Sequence, residues 1–212
     1  DYVYLFRGRM DERYDFARAV RDKQYKYIRN YMPHLPWGQH LEYLWKSQSM
    51  QSLWAEHKAG RLKGAEKRFF QTKDAEELYD TKTDPHEVNN LAGDPKFSEI
   101  LQRMRKAQLA WAVDIHDTGF LPEGELIARS EGSTPFEMVR DPKKYAQAAV
   151  MAAADVANAR DAKKLPRLIE MIDQHNMTIL GQYLDMGVDY IHVGEDLGTQ
   201  TSSVISPAMF RK

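Results

Sequence analysis

Cysteine is absent from the 212-residue sequence. That excludes disulfides, thiolate metal ligands and a cysteine nucleophile, and it leaves the compartment open. A dominant charge is missing too. Thirty basic and 31 acidic side chains leave a net charge of -1, which argues against nucleic-acid binding through a general positive field. No run approaches the roughly 18 apolar residues of a membrane span. The longest apolar-rich stretch, 146–154, is mostly alanine and is broken by Gln147. Asp1-Tyr2-Val3-Tyr4 lacks the basic region, apolar core and initiator Met of an export signal, so the chain reads as starting in mid-gene. Seven histidines are scattered with no i, i+4 pair. The wider spacing of His34 and His40 fits no common zinc pattern, and no metal site is expected.

What is present reads first as β. The segments 16–21 and 24–31 flank Asp22-Lys23, a candidate two-residue hairpin turn. Tyr25, Tyr27 and Tyr31 share one face of the second strand. The stretch 32–38, with two prolines, is a loop. From 39 to 59, Leu41, Leu44, Trp45, Leu53, Trp54 and His57 recur at helical spacing, ended by Gly60 and Gly64. Residues 76–80 form a short strand running into a turn at 83–87. Asp94 caps a helix with Pro95 at its first position. Phe97, Ile100, Leu101, Met104, Gln108, Trp111 and Ile115 make its apolar stripe. A linker at 119–134 and helices at 142–159 and 166–173 follow. Ala148, Ala149, Ala152 and Ala153 suggest a close helix pair.

From residue 178 the pattern changes. A helix at 178–186, a left-handed cap at Gly187, a strand at 188–193, a polar loop at 194–203 and a helix opening at Ser206-Pro207 read as one βα unit of an α/β barrel. Val188, Ile191 and Val193 would be exposed there and aggregation-prone.

The densest polar constellation is Arg9-Met10-Asp11-Glu12-Arg13-Tyr14-Asp15, followed by Arg18, Arg21 and Asp22. Arginine presents a planar fork that grips sulfate or carboxylate with two hydrogen bonds. A solvated salt-bridge ladder is the plainer reading of the same composition. Asp84, Glu87 and Asn89 suggest calcium, but Asp-Pro-x-Glu is more simply a capped turn. Asn89-Asn90-Leu91 lacks the hydroxyl residue of a glycosylation site. Trp37, Trp45 and Trp54 read as core; Trp37 alone is also a candidate sugar platform.

Residues 8–40, "GRMDERYDFARAVRDKQYKYIRNYMPHLPWGQH", resemble the start of the C-terminal subdomain of bacterial sulfatases of the arylsulfatase and heparan-sulfatase type. "EELYDTKTDPHEVNNLAGDP", 76–95, resembles the signature near the end of those enzymes, and "GFLPEGEL", 119–126, continues it. The stretch 133–171 resembles their helical, HEAT-like tail. The resemblance covers about 1–170. It implies an alkaline-phosphatase-like α/β/α parent whose C-terminal subdomain is a small antiparallel sheet with a packed helix. It implies a sulfuric ester hydrolase acting on sulfated glycans or aryl sulfates, usually exported.

The chemistry of that family rests on a formylglycine made within Cys/Ser-x-Pro-Ser-Arg, poised on a divalent cation. Here the sole Ser-x-Pro is Ser133-Thr134-Pro135, followed by Phe136 and Glu137. The paired Asp residues that hold calcium have no counterpart, and His116-Asp117-Thr118-Gly119 does not replace the family's Asp-His-Gly. The resemblance therefore implies a non-catalytic part, with calcium belonging to a missing catalytic domain that would be its partner. What carries over is a substrate rim: Arg9, Asp11, Glu12 and Arg13.

Residues 179–212, "ILGQYLDMGVDYIHVGEDLGTQTSSVISPAMFRK", resemble the uroporphyrinogen decarboxylase superfamily, which also holds cobalamin-dependent methyltransferases and is cytosolic in its decarboxylase branch. The pattern runs through Gly187, Asp189, Ile191, Glu195, Asp196, Gly198, Gln200, Ile205, Ser206, Pro207 and Phe210. Residues after a barrel strand face the active site, which singles out Glu195, Asp196 and Gln200. A Ser usually stands in place of Asp196 in the decarboxylase itself.

The expected architecture is α+β: a sulfatase C-terminal subdomain over 1–128, a helical tail over 129–174, and a single βα fragment of a TIM-type barrel over 175–212. The two resemblances meet within 166–178, and an artificially joined reading frame from environmental DNA is the favoured account. Three functions compete: the sulfatase part, the barrel fragment, and a helical interaction module without catalysis.

Overall fold

The computed structural model describes residues 1–158 and two later strands, Ile191–Glu195 and Thr201–Ile205. The chain forms two compact units, Asp1–Ala159 and Arg160–Lys212.

The first unit is α+β. Its sheet has four antiparallel strands in the order β1 (Val3–Arg7), β2 (Ala17–Arg21), β3 (Tyr25–Asn30) and β4 (Glu76–Asp80). The β2–β3 connection spans 22–24, three residues rather than two. Asp22 Oδ1 accepts from the backbone N–H groups of Gln24 (2.8 Å) and Tyr25 (2.6 Å), so the side chain sets the wider turn.

Register decides the faces, because side chains alternate across a strand. Val20, Tyr27 and Leu78 stand in one row. Against them lies Met104, from helix α3 (Ser98–Asp114). Phe97, Ile100 and Leu101 complete that layer. Asp94 caps the entry, its carboxylate accepting from Lys96 N, and Pro95 opens a short 3-10 turn leading into α3. Trp111 stacks on Tyr4 at 4.9 Å. Ile115 departs from the expected stripe: it lies past the last helical residue and is 44% exposed. Ala17, Ala19, Ile28 and Tyr79 form the core of the opposite face.

Consecutive glutamates on β4 consequently meet opposite environments. Glu76 faces α3. Desolvation would raise its carboxyl, but Arg105 (2.7 and 2.8 Å) and the Tyr27 hydroxyl (2.6 Å) outweigh that and hold it low. Glu77 faces the other side, where burial pushes its carboxyl up against the opposing donors Tyr79 O–H (2.7 Å) and Asn30 Nδ2 (2.6 Å). A folded state that holds a proton more tightly than the unfolded chain loses stability as pH rises. Urea unfolding of Glu77→Gln against the parent between pH 4 and 8 is therefore expected to show a gap that moves in the variant's favour. The movement begins near the ordinary carboxyl value of 4.5 and stops above the raised one. Parallel curves throughout would show that Glu77 titrates normally.

The segment 39–59 is two helices, not one. Helix α1 (Glu42–Trp45) ends and Ser47 caps α2 (Gln48–Lys58), its hydroxyl accepting from Met50 N at 3.2 Å. A serine that satisfies a helix's first free N–H groups starts a new helix at that point. Trp54, His57 and Phe70 pack as a ring cluster between α2 and the 3-10 turn Gly64–Phe70. The expected linker 119–134 contains helix α4 (Glu123–Arg129), which packs Leu126 on Leu121, Met138, Val139 and Tyr145. Its Gly and Pro residues sit at the edges of structure rather than in a free tether. The Ser133-Thr134-Pro135 segment starts helix α5 (Pro135–Met138) through a capping box between Thr134 and Glu137.

Helix α6 (Gln147–Asn158) begins five residues later than expected. Ala148, Ala149 and Ala152 on it are exposed, so among the described residues they pack against no second helix. The buried contacts come from Met151 and Val150 instead. The side chain of Ala153 and the expected helices at 166–173, 178–186 and from Ser206 lie outside the described residues.

In the second unit β5 (Ile191–Glu195) pairs antiparallel with β6 (Thr201–Ile205). This corrects the expected polar loop 194–203, since a strand occupies both its ends. It also departs from a barrel βα unit, whose strands run parallel to their neighbours, because β5 and β6 pair antiparallel. No helix among the described residues is long and apolar enough to cross a membrane.

Candidate functional site

The β1–β2 connection carries the Arg/carboxylate constellation. Met10 and Arg13 exchange backbone hydrogen bonds at 2.8 and 3.0 Å, closing a tight turn over Asp11 and Glu12. Asp11 takes φ 50°, a left-handed conformation that short polar side chains tolerate better than most.

The four expected rim residues part company here. Arg9 and Asp11 line a cavity of about 540 Å³ between this loop and the segment 118–126. Arg9 ion-pairs with Glu123 and donates through Nε to Asp11 O at 3.0 Å. Glu12 points elsewhere: its Oε1 accepts the backbone N–H of Glu42 at 2.7 Å, a bond that holds its carboxyl below the ordinary value. Arg13 folds back on its own turn, with Nη2 3.7 Å from Met10 Sδ. Of the barrel-loop candidates, Glu195 ends β5 opposite Thr201, and Asp196 and Gln200 lie outside the described residues.

Two buried ion pairs hold the cavity wall. Lys73 Nζ donates to both oxygens of Asp15, at 2.6 and 2.7 Å, with the two side chains 0% and 1% exposed. Arg7 Nε reaches the same carboxylate at 3.2 Å. Burial pulls the Lys73 ammonium below the usual lysine range, and the Asp15 carboxylate opposes that shift. The indole of Trp37 lies 4.7 Å from Lys73 Nζ and 5.1 Å from the Arg7 guanidinium. The second pair is bidentate: Arg18 Nε and Nη2 donate to Asp117 at 2.5 and 2.7 Å. Tyr145 donates to Asp117 O at 2.6 Å, and burial, then the Asp117 charge, push its hydroxyl up to about 12.

Gly119 is where the bidentate pair requires a bare backbone. A Cβ there would meet Arg18 Nη2 and sit 2.7 Å from a Phe16 ring carbon. Gly119→Ala is expected to cost about 1–3 kcal/mol by overpacking, read as a lower urea midpoint at unchanged slope. Unchanged stability would mean that Arg18 moves aside freely.

Chemically this is a wall of paired charges. Arg9 and Arg18 are already neutralised by Glu123 and Asp117, so the cavity offers forks and carboxylates for hydroxyl-rich ligands rather than a free positive hole. Calcium takes six to eight oxygen ligands. Among the described residues no group of three or more His, Cys, Asp or Glu is placed to hold a metal ion, so these residues do not fit the implied calcium. Asp84 Oδ2 accepts Asn89 N at 2.8 Å and Glu87 pairs with Lys26, which makes that segment a capped turn. Lys73 and Asp117 were not signalled by the sequence. Lys73 sits in an ordinary polar coil, and its only mark is a cation following two phenylalanines.

No protein-family model matches the chain. An ulvan-active sulfatase of Formosa agariphila is 38% identical over 144 residues, 67% of this chain and 24% of that protein. Human N-sulphoglucosamine sulphohydrolase is 30% identical over 102 residues, 47% of this chain and 20% of that protein. A further ulvan-active sulfatase of F. agariphila is 30% identical over 95 residues, 45% and 17% respectively. The matches thus span about a quarter or less of each relative's length. None of the three is a decarboxylase, and they lend the resemblance of 179–212 no support. The chain contains a sulfatase-like region that extends over about half of its length or more.

Proposed function

We propose that residues 1–158 serve as a non-catalytic, substrate-facing part of a sulfuric ester hydrolase acting on sulfated glycans or aryl sulfates. The observation that carries this reading is the 38% identity over 144 residues to a sulfatase. The cavity beside Arg9 and Asp11 agrees with it, because paired arginine forks and carboxylates beside the sheet suit a polyhydroxylated ligand. In this reading the nucleophile and the calcium belong to a catalytic domain, which is the chain's partner. A hydrated aldehyde on a divalent cation does chemistry that ion-paired arginines cannot supply.

The test is turnover. The 212-residue chain is expected to release no aryl alcohol from 4-nitrophenyl sulfate, with or without added calcium, above a buffer blank. Sustained release that scales with protein and survives repurification would overturn the non-catalytic assignment.

A further inference from the structure

The sheet face opposite α3 carries a second cavity, of about 550 Å³. Its floor is Glu77 and Tyr79 on β4, and its walls are Arg68 and Phe69 of the 3-10 turn, Trp37, and His86. The size falls within the range of small-molecule sites and far exceeds what one tetrahedral oxyanion fills.

Its charges are unequally committed. Lys26 pairs with Glu87 at 2.7 Å, and Lys73 is locked on Asp15. Arg68 and His86 are exposed, and among the described residues no ion pair or side-chain hydrogen bond is seen for either one. Arg68 lines this cavity together with Tyr79. An uncommitted guanidinium grips a carboxylate or a sulfate with two parallel hydrogen bonds. Around it stand apolar ring surface from Phe69 and Trp37 and the mixed donors and acceptors Gln71 and Thr72. That combination suits a pyranose, which has apolar C–H faces and a hydroxyl edge.

The two cavities also touch. Asp15 lines the first, Lys73 lines the second, and the two are hydrogen-bonded to each other. One ion pair is therefore the shared wall.

We propose that this second cavity is a subsite for an anionic sugar unit, with Arg68 as its specificity-determining contact. It would take a further residue of the same glycan that meets the first cavity at Arg9. The saccharide class rests on the sulfatase reading above; the site itself rests on Arg68 and the cavity.

Calorimetric titration of the full chain tests it, using a disaccharide of a uronate and N-sulphoglucosamine, its desulfated counterpart, and inorganic sulfate. Arg68→Ala is expected to weaken disaccharide binding about tenfold or more, the scale of a lost charge-assisted contact. Arg68 is exposed, so the substitution is expected to preserve folding, which circular dichroism checks. Retained Arg68 dependence with the desulfated sugar identifies the carboxylate as the gripped anion; its loss identifies the sulfate. Either outcome supports the site. Inorganic sulfate that binds as tightly as the disaccharide overturns the sugar assignment. If Arg9→Ala weakens binding and Arg68→Ala does not, the second subsite is refuted while the sulfatase reading stands. Arg68 dependence without Arg9 dependence keeps the subsite and removes the rim from the proposed function. Binding of none of the three probes overturns both.

Discussion

Lys73→Met is expected to cost about 3–5 kcal/mol, the usual consequence of removing one partner of a buried ion pair. The reason is what stays behind. Asp15 is 2% exposed, and Lys73 donates to both of its oxygens. Without the ammonium the carboxylate keeps Phe16 N at 2.9 Å and Arg7 at 3.2 Å. Arg7 is about a third exposed and is screened by water. Domains of this size are stable by only about 5–15 kcal/mol, so the variant should be close to partial unfolding at room temperature. The double replacement Lys73→Met with Asp15→Leu separates the cost of an orphaned charge from the value of the pair. Apolar substitutes for buried pairs are often neutral or better, so most of the loss should return. Equilibrium urea unfolding at pH 7 reads both. If the single variant loses under about 1 kcal/mol, Asp15 reaches water and the wall is soft. If the double variant is no better than the single, the pair contributes packing rather than compensated charge.

Met104→Ala is expected to cost about 2–5 kcal/mol. Met104 is fully buried and is the point where α3 meets the row Val20, Tyr27 and Leu78. Truncation leaves a hole under a helix that also holds Arg105 on Glu76 and Arg103 on Asp22. Met104→Leu keeps the volume and should lose less than about 1.5 kcal/mol. Hydrogen exchange adds the location: amides of α3 should lose protection before those of β2 and β3. Equal losses for Ala and Leu would mean that shape, not burial, decides this contact, and uniform deprotection would mean that helix and sheet unfold together.

Much of the first unit was legible from local chemistry. Asp94-Pro95 announces a helix start, and the stripe from Phe97 to Met104 announces the face that α3 buries. Tyr27, in the middle of β3, announces the matching face of the sheet. These signals are readable because caps and periodicities act over three or four residues. Where reading failed, a local signal was ambiguous. Ser47 inside an apolar period looked like helix interior but caps a new helix, since only the backbone around it decides whether its hydroxyl meets a free N–H. The Gly and Pro residues of 119–134 suggested a tether, yet Leu121 and Leu126 were enough to fold that stretch against Met138 and Tyr145. In the second unit a strand was expected at 188–193 and one lies at Ile191–Glu195, but its antiparallel partner at 201–205 was not expected.

The site divides along the same line. Its residue types were plain: a cluster of arginines and carboxylates before a hairpin, with Arg9 and Asp11 among them. Which of them face a cavity, and which are spent on their own backbone like Glu12, was set by the tight turn at 10–13 and by the helix that begins at Glu42. The ion pairs that make the wall are another matter. Asp15 meets Lys73 across 58 residues of chain, and Arg18 meets Asp117 across 99. Strands, caps and apolar faces follow from neighbours in sequence, because backbone hydrogen bonding and side-chain alternation are short-range. The charge pairing follows only from how the sheet stacks on its helix and loops, because a charge takes whichever opposite partner folding leaves beside it out of water.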